Sequence, residues 1–343
     1  MEFKIDKTIV TRSSEPYIIA EACDNHFGNM DYATKMIENS KKAGANAVKF
    51  QHHLPDEEML PSIPMSDNFA EPLYEFLKKN ALKLQDHIKL KEICDKIGIT
   101  YLCTPFSFKA AEEINKLVPI FKIGSGEMAD TPTLKKIMSF NKGMIVSTGM
   151  SIFDEIDRTY ELVSSKVPMV LMNCISEYPV DYNDMNLNVI TKMLKFYPKA
   201  IIGHSDHSSD LFTSYSALTL GANVIEKHVI LDKNMKGPDQ EVSIDFDQLE
   251  DLVRTSKNIK KTLGDEKKIH EKEKQIRAWA YRSIVSIKKI SKGKIIESDD
   301  IWCKRPGTGI PSHHMDEVIG LKVKKDIDDN SLIHWEDLEI IKK

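Results

Sequence analysis

Short apolar runs alternate with longer amphipathic segments along most of the chain. The runs are rich in Ile, Val and aromatic residues, which is typical of strands buried in a parallel sheet. They are YIIAEA (17–22), NAVKFQ (46–51), ITYLCT (99–104), IFKIGS (120–125), GMIVST (143–148), PMVLMN (168–173), AIIGHS (200–205) and NVIEKHV (223–229). Helical patterns lie between most of them, and three end just before a glycine, a common helix terminator: Asp31 to Ala43, Asp86 to Lys96 and Leu211 to Leu220.

Eight strand–helix units in about 265 residues predict a (β/α)8 TIM barrel of the α/β class over residues 1–263. A doubly wound open sheet is the alternative fold for the same alternation. The stretch 52–85 is too long for a plain connection, so we predict an elaborated active-site loop there.

The chain changes character after the eighth unit. GDEKKIHEKEKQ (264–275) has almost no large apolar residues, and we interpret 264–282 as a linker. In 283–343, KKISKGKIIESDDI (288–301) aligns with KKDIDDNSLIHWEDL (324–338), a weak internal repeat. The repeat predicts a small β-rich domain with two-fold pseudo-symmetry. Its aligned pairs are Ile290 with Ile327, Ile295 with Leu332, Ile296 with Ile333 and Ile301 with Leu338.

Polar residues collect where the predicted strands end, which is where barrels of this kind place their active sites. Lys49 and Lys122 are expected inside the barrel, and several hydroxyl side chains lie close to them in the pattern. Together they predict an electropositive, hydrogen-bond-donating pocket that suits a phosphate or a carboxylate. The polar residues at the strand ends are Glu21, Lys49, Gln51, Thr104, Lys122, Ser125, Ser147, Ser176, Tyr178, Ser205, His207, Glu226 and His228.

The phrase GHSDHSSD (203–210) is open to three interpretations: a metal site, acid–base chemistry or a strand cap. Side chains alternate along a strand, so His204 and Asp206 share one face and Ser205 and His207 the other. His207 then has His228, on the next strand, as its candidate partner for Mn²⁺, Fe²⁺ or Zn²⁺. We expect Asp206 to orient a neighbouring group, and the pattern assigns no role to His204.

Composition narrows the class of protein. The formal net charge is −4, without a domain-scale basic excess, so nucleic acid is not expected as a partner. The five cysteines are far apart and form no C-x-x-C pair, which favours a reducing compartment over a disulfide framework. We found neither a signal-peptide pattern nor an apolar run of ~20 residues, and therefore expect a soluble, cytoplasmic protein without membrane contact.

Eight ordered motifs lie between about residues 17 and 310. They are IIAEACDNHFGN, KKAGANAVKFQ, CTPFS, FKIGSGEM, IVSTGM, GHSDHS, VIEKHVILDKNMKGPDQEVS and KRPGTGI. Together they resemble the sialic acid synthase family, also called N-acetylneuraminate synthases, which are phosphoenolpyruvate-dependent nonulosonate synthases. The tail resembles the antifreeze-like (SAF, β-clip) domain of that family.

The resemblance implies a reaction. Phosphoenolpyruvate would condense with the open-chain aldehyde of N-acetylmannosamine, or of a related 2,4-diacetamido-6-deoxy sugar, and with water. Carbon C3 of phosphoenolpyruvate attacks the aldehyde, water adds at C2, and phosphate leaves by C–O cleavage. The products are a nine-carbon 2-keto acid and phosphate.

The resemblance also implies residue roles. His207 and His228 would hold a divalent metal ion, usually Mn²⁺ with Mg²⁺ or Co²⁺ as alternatives, and Glu21 or Glu226 would transfer the proton. Arg305 would reach the active site of the partner subunit, which implies a domain-swapped homodimer. Phosphoenolpyruvate would be bound by Lys49, Thr104, Lys122, Ser125, Ser147, Ser176 and Ser205, and the sugar by Glu21, Gln51, Tyr178, Asp239 and Arg305.

Several questions stay open at this stage. The substituents at C4 and C6 of the sugar are not determined, so precursors of N-acetylneuraminate, legionaminate and pseudaminate are all candidates. Ser66 or Asn68 is a candidate for a further sugar contact. Two rival functions are a 3-deoxy-octulosonate-phosphate-type synthase acting on a phosphorylated sugar, and a sugar- or ice-binding module based on the tail.

Overall fold

The computed structural model describes residues 1–65 and 71–339. The chain divides into two compact units, Met1–Gly264 and Asp265–Lys343. The division falls one residue after the predicted end of the barrel. In the described part of the chain, no helix has the length and apolar composition to cross a bilayer.

The first unit is a nearly closed barrel of eight parallel strands, preceded by a β-hairpin. The sheet order is β5-β4-β3-β10-β9-β8-β7-β6, and the two end strands β5 and β6 lie side by side. The first and last barrel strands, β3 and β10, pair directly, which an open doubly wound sheet does not allow. The predicted (β/α)8 barrel is therefore confirmed. The strands are β1 Glu2–Ile5, β2 Thr8–Thr11, β3 Tyr17–Glu21, β4 Ala47–His52, β5 Thr100–Pro105, β6 Phe121–Ile123, β7 Met144–Ser147, β8 Met169–Cys174, β9 Ala200–Asp206 and β10 Val224–His228.

Helices follow the strands, and their ends match the local sequence. The side chain of Asn29 accepts hydrogen bonds from the first amides of helix α1, and the helix α4 ends at Gly98, whose φ of +75° suits glycine. The helices of this unit are α1 Met30–Lys42, α2 Pro55–Glu58, α3 Leu73–Asn80, α4 Leu84–Ile97, α5 Phe108–Ile114, α6 Thr131–Met138, α7 Phe153–Ser164, α8 Val189–Phe196, α9 Phe212–Thr219 and α10 Phe246–Thr262.

The stretch 52–85 differs from the predicted loop because it contains the helices α2 and α3. In α3, Tyr74, Phe76 and Leu77 are buried, and this apolar face gives the segment a reason to fold as a helix.

Two apolar layers position the active site. The outer layer lies between the strands and the helices and includes Val48 and Phe50. The inner layer fills the barrel and includes Ile145 together with Phe3 and Ile5 of the hairpin. The hairpin thus closes the amino-terminal end of the barrel with apolar side chains, and the polar side chains gather at the other end.

The second unit is small and β-rich. Its elements are α11 Glu271–Ala280, β11 Ser283–Ser286, β12 Ile301–Lys304, the 3-10 helix Ser312–His314, α12 Met315–Val318, β13 Lys322–Val323, the 3-10 helix Trp335–Asp337 and β14 Leu338–Glu339. The segment interpreted as a linker contains the helix α11, whose residues are largely exposed. An exposed helix needs few large apolar residues, which explains why the sequence of this segment resembles that of a linker.

The internal repeat of this unit is visible in its backbone pairing. The equivalent residues Ile290 and Ile327 exchange both of their N–H···O=C hydrogen bonds, each 2.9 Å long. Two further repeat pairs, Ile296 with Ile333 and Ile301 with Leu338, are buried in the same core. The fourth pair is not core, because Ile295 is half exposed.

Candidate active site at the mouth of the barrel

One cavity opens at the carboxyl ends of the barrel strands. Its volume of about 400 Å³ suits a small metabolite. Fourteen of the predicted site residues line it: Glu21, Lys49, Gln51, Thr104, Lys122, Ser125, Ser147, Ser176, Tyr178, Ser205, His207, Glu226, His228 and Asp239.

Lys49 sits at the centre of one hydrogen-bonded group deep in the cavity. Its Nζ lies 2.6 Å from Glu21 Oε2 and donates to Thr104 Oγ1 at 2.9 Å. Gln51, two residues along the same strand, donates to Glu21 Oε1 at 2.9 Å. The strand register explains the grouping, because Lys49 pairs with Glu21 on β3 and Gln51 with Thr104 on β5.

Lys122 forms a second group that shares one carboxylate with the first. Its Nζ donates to Ser147 Oγ at 2.7 Å and lies 3.7 Å from Glu226 Oε1. The same Glu226 oxygen is 3.6 Å from Lys49 Nζ and accepts a hydrogen bond from Ser205 at 3.2 Å. Both ammonium groups are therefore buried around one carboxylate, each with a hydroxyl beside it.

Glu21 and Glu226, two of the buried carboxylates of the cavity, differ in how tightly they hold a proton. Burial raises the pKa of Glu21 to about 7, because it outweighs the attraction of Lys49 and is reinforced by the charge of Glu226. Burial acts in the same direction on Glu226, but Lys122 and Lys49 together lower its pKa below the usual value. Glu226 is thus ionised at neutral pH, whereas Glu21 exchanges its proton near pH 7.

Two predicted hydroxyls meet over Gly149 at the end of β7. The Gly149 amide donates to Ser125 Oγ at 3.0 Å. A Cβ at position 149 would lie 2.2 Å from Ser176 Oγ and 2.8 Å from Ser125 Oγ. Only glycine lets both hydroxyls approach this backbone.

His207 and His228 lie side by side, with ring centroids 5.2 Å apart. His207 Nδ1 donates to the carbonyl oxygen of Ile175 at 2.7 Å, and Nε2 therefore carries the lone pair, which accepts a hydrogen bond from the hydroxyl of Tyr178 at 3.2 Å. Burial and then the charge of His207 lower the pKa of His228 well below its usual value, so His228 is neutral. Its Nδ1 is buried and has no hydrogen-bond partner among the described residues. A metal ion binds the neutral form of imidazole, and two adjacent imidazoles fit a divalent ion.

Further donor atoms lie beside His228. Cys23 Sγ, a ring nitrogen of His228 and a carboxylate oxygen of Asp239 are all within 4.8 Å of one another. Imidazole, thiol and carboxylate together suit a divalent transition metal.

The structure separates His204 and Asp206 from this cavity. His204 Nδ1 lies 3.1 Å from the carbonyl oxygen of Asn173, and Asp206 faces the helix α9, where Thr213 donates to it at 2.7 Å. Asp206 also pairs at 3.3 Å with Lys227, and both are inaccessible to solvent. The two residues therefore hold the outside of β9, while Ser205 and His207 point inwards.

The sequence analysis missed four titratable residues of the cavity wall: Asp24, His53, Glu127 and Cys174. His53 bonds to Gln51 Oε1 at 3.0 Å and to Glu58 Oε1 at 2.9 Å, and burial raises the pKa of Glu127 to about 7. His53 directly follows β4 and Asp24 lies three residues beyond the end of β3, so a position shortly after a strand end was the available signal.

The remaining predicted site residues lie elsewhere. Arg305 belongs to the second unit, where it is exposed; its Nε donates to the carbonyl oxygen of Ala280 at 3.0 Å. Ser66 and Asn68 lie outside the described residues.

Comparison with known proteins identifies the family. The NeuB family model matches residues 36–268, and the SAF domain model matches 281–339. The chain is 35% identical to N,N'-diacetyllegionaminic acid synthase of Campylobacter jejuni, over 92% of this chain and 98% of that one. It is 33% identical to a pseudaminic acid synthase from the same species, over 91% and 93% of the two chains.

A solved structure agrees with this assignment. The N-acetylneuraminic acid (sialic acid) synthetase of Leptospira borgpetersenii, in complex with citrate, superimposes with a TM-score of 0.74 at 28% identity, over 80% of this chain and 95% of that one. The predicted resemblance, the synthase class and the SAF domain are thereby confirmed. The chain belongs to the NeuB family of sialic-acid-type synthases and carries a C-terminal SAF domain.

Proposed function

We propose that this protein condenses phosphoenolpyruvate with the open-chain aldehyde of a 2-acetamido sugar and with water, giving a nonulosonic acid and phosphate. One observation carries the proposal: two buried lysines and several hydroxyls converge in a single cavity of a NeuB-family barrel. Phosphoenolpyruvate is a small dianion or trianion, and it needs such paired cations out of water.

Lys49 and Lys122 are the groups that bind this anion. Both are almost inaccessible to solvent, and Glu226 lies between them as an internal counter-ion. The carboxylate and phosphate of phosphoenolpyruvate take up the lysine charges, while Thr104, Ser147 and Ser205 donate or accept hydrogen bonds beside them. Ser125 and Ser176, gathered over Gly149, extend this binding surface across the strand ends.

Glu21 is the proton-transfer group of the proposal. Condensation needs a base that takes the proton of the water that adds at C2 and passes it to the alkoxide formed from the aldehyde. A carboxylate whose conjugate acid has a pKa of about 7 can do this at neutral pH, whereas Glu226, with its lowered pKa, holds a proton poorly. The structure therefore favours Glu21 over Glu226 for this role.

His207 and His228 would hold the divalent metal ion, for which Mn²⁺ is the first candidate and Mg²⁺ or Co²⁺ the alternatives. Bound there, the ion would supply Lewis-acid polarisation of the aldehyde oxygen. The hydrogen bond from His207 to the backbone of Ile175 fixes the ring orientation and tautomer needed for binding.

The sugar site is assigned to Gln51, Tyr178 and Asp239 at the cavity wall, with Glu21 at its base. The likeness to legionaminic and pseudaminic acid synthases supports a 2,4-diacetamido-6-deoxy sugar as the first substrate to test, with N-acetylmannosamine as the second. A phosphorylated sugar is disfavoured, because the lysines among the described lining residues, Lys49 and Lys122, already serve the first anion.

A homodimer in which Arg305 contacts the partner's sugar completes the proposal, in a reducing cytoplasm that suits the five free cysteines. The test is phosphate release from phosphoenolpyruvate with Mn²⁺ and each of three sugars: N-acetylmannosamine and the two 2,4-diacetamido-6-deoxy precursors. We expect release with one or more of them and loss of release after chelation. No release with any 2-acetamido aldose would overturn the proposed function.

A further inference from the structure

Three donor atoms of different chemistry meet at the carboxyl end of β10. They are the thiol of Cys23, a ring nitrogen of His228 and a carboxylate oxygen of Asp239, all within 4.8 Å of one another. Cys23 and His228 are buried and Asp239 is partly buried. The residues come from three separate segments of the chain, so the barrel and not local sequence brings the donors together.

The backbone at Cys23 is in an unusual conformation. Its φ of +37° is in the left-handed region that non-glycine residues rarely adopt, at a cost of about 1–3 kcal/mol. The side chain is fully buried, although it directly follows the strand that supplies Glu21. Strained backbone of this kind clusters at active sites and ligand-binding sites.

The ring of His228 has capacity for a ligand bond. It is 96% buried, and its Nδ1 has no hydrogen-bond partner in the described structure. A buried polar nitrogen left without a partner costs about 1–3 kcal/mol, and a bound cation removes that cost. This unpartnered nitrogen is an observation separate from the proximity of the thiol and the carboxylate to the His228 ring.

We propose that Cys23 is a protein ligand of the divalent metal ion at His228, with Asp239 as a further oxygen ligand. The thiol binds as a thiolate, so one proton leaves for solvent when the metal enters and no oxidation state changes. This inference rests on the proposed function only for the presence of a metal ion at these histidines. It predicts a centre with mixed nitrogen, sulfur and oxygen donors, which favours Co²⁺, Zn²⁺ or Fe²⁺ over Mg²⁺.

The test is Co²⁺ bound to the metal-free full-length protein, read by its absorption spectrum. A cobalt–thiolate bond gives a ligand-to-metal charge-transfer band in the near ultraviolet that histidine and carboxylate ligands do not give. We expect the band in the wild type and its loss in Cys23→Ser and Cys23→Gly. Co²⁺ affinity, measured by competition with a chelator, should fall more than about tenfold in both variants, since even outer partners of a ligand contribute about 10–100-fold.

Cys174 supplies the matched control. It lines the cavity, and its Sγ lies 3.8 Å from His207 Nδ1, the nitrogen that already donates to the carbonyl oxygen of Ile175. Cys174→Ser should keep the band. If Cys23→Ser is unstable, Cys23→Gly still tests the thiol, because glycine adopts positive φ without strain. Thermal unfolding of each metal-free variant shows whether it is folded.

Three outcomes would overturn the inference: no Co²⁺ binding, no band in the wild type, or a band that survives in Cys23→Gly. If the band vanishes in Cys174→Ser but persists in Cys23→Gly, the thiolate ligand is Cys174 and not Cys23. Phosphate release is measured separately. A protein with the band but no synthase activity would refute the proposed function alone, and an active protein without the band would refute this inference alone.

Discussion

The ammonium of Lys49 lies 2.6 Å from a carboxylate oxygen of Glu21, and both side chains are within 2% of complete burial. A pair this close would ordinarily keep the carboxylate ionised. Burial and the nearby charge of Glu226 nevertheless bring the pKa of Glu21 to about 7. The carboxyl group of Glu21 is therefore about half ionised near pH 7, although the charged Lys49 lies beside it.

The first prediction concerns the pH dependence of catalysis. As the base that takes the proton of the attacking water, Glu21 must be ionised, so kcat/KM should fall as the pH drops through 7. Glu21→Gln should remove that acid limb and lower kcat by about 10²–10⁴-fold. The measurement is the pH profile of phosphate release.

Glu127 is the matched control for this profile, because burial raises its pKa to about 7 as well. Glu127→Gln should keep the acid limb. A limb that disappears in Glu127→Gln and persists at low activity in Glu21→Gln would transfer the role to Glu127.

The second prediction concerns the anion site. Lys122→Met removes one buried cation and its hydrogen bond to Ser147, and we expect the KM for phosphoenolpyruvate to rise about 10- to 100-fold, the worth of a charged hydrogen bond of about 1.5–3 kcal/mol. Lys142→Met, on a partly buried lysine that bonds to Val118 outside the cavity, should leave this KM unchanged. The measurement is steady-state kinetics at saturating sugar. If the two variants change the KM for phosphoenolpyruvate equally, Lys122 does not bind it.

The third prediction concerns Gly149. The added methyl group of Gly149→Ala collides with the hydroxyls of Ser125 and Ser176, so these must move away from the cavity. The KM for phosphoenolpyruvate should rise about tenfold, the worth of one displaced hydrogen bond, while the fold is kept. Gly264→Ala, where a Cβ meets nothing within 4 Å, is the control. An unchanged KM in Gly149→Ala would exclude both hydroxyls from binding.

The fourth prediction concerns stability. Lys227 and then His204, with hydrogen bonds from Ser214 and Thr213, lower the pKa of the buried Asp206 despite its burial. Its stabilising effect is therefore complete above the unfolded pKa near 3.9 and is lost as the pH falls below it.

Asp206→Asn leaves Lys227 buried without a counter-charge and should lower the free energy of unfolding by about 3–5 kcal/mol at pH 7. Denaturant titration at pH 7 and pH 3 measures this, and the difference between the two proteins should shrink at the lower pH. In Asp206→Asn combined with Lys227→Met, part of the loss should be recovered. Full additivity of the two substitutions would contradict the pairing.

The fifth prediction concerns the proposed dimer. Arg305→Ala should raise the KM of the sugar far more than that of phosphoenolpyruvate. The Arg305→Ala and Lys122→Met proteins, mixed under conditions that exchange subunits, should regain activity at low sugar concentration, because one site of each mixed dimer then has both residues. If Arg305 acts within its own chain, mixing restores nothing.

The strands, and the site residues on them, could be predicted from the sequence because strands follow a regular pattern. A strand of a barrel alternates its side chains, so Lys49 and Gln51, or Glu226 and His228, had to share a face once the strand was recognised. The end of the strand then fixed the height at which each polar group enters the cavity. The same alternation sent His204 and Asp206 outward.

Apart from Cys174, the last residue of β8, the residues not predicted from sequence lie beyond the strands, where no periodicity applies. Cys23 reaches His228 through a left-handed backbone turn, and His53 turns back onto Gln51 from the first residues after β4. Such turns depend on tertiary contacts rather than on a repeating pattern. Helix α3 was missed for a related reason, because its apolar face is only eight residues long.

The hairpin under the barrel has a consequence for the order of events. Phe3 and Ile5 close the far end, so among the described residues the cavity opens on the side of the strand ends. The lysines stand on the strands themselves, while Tyr178 and Asp239 belong to the loops that follow strands. If the proposed roles hold, we expect phosphoenolpyruvate to bind before the sugar, because the sugar would lie over it.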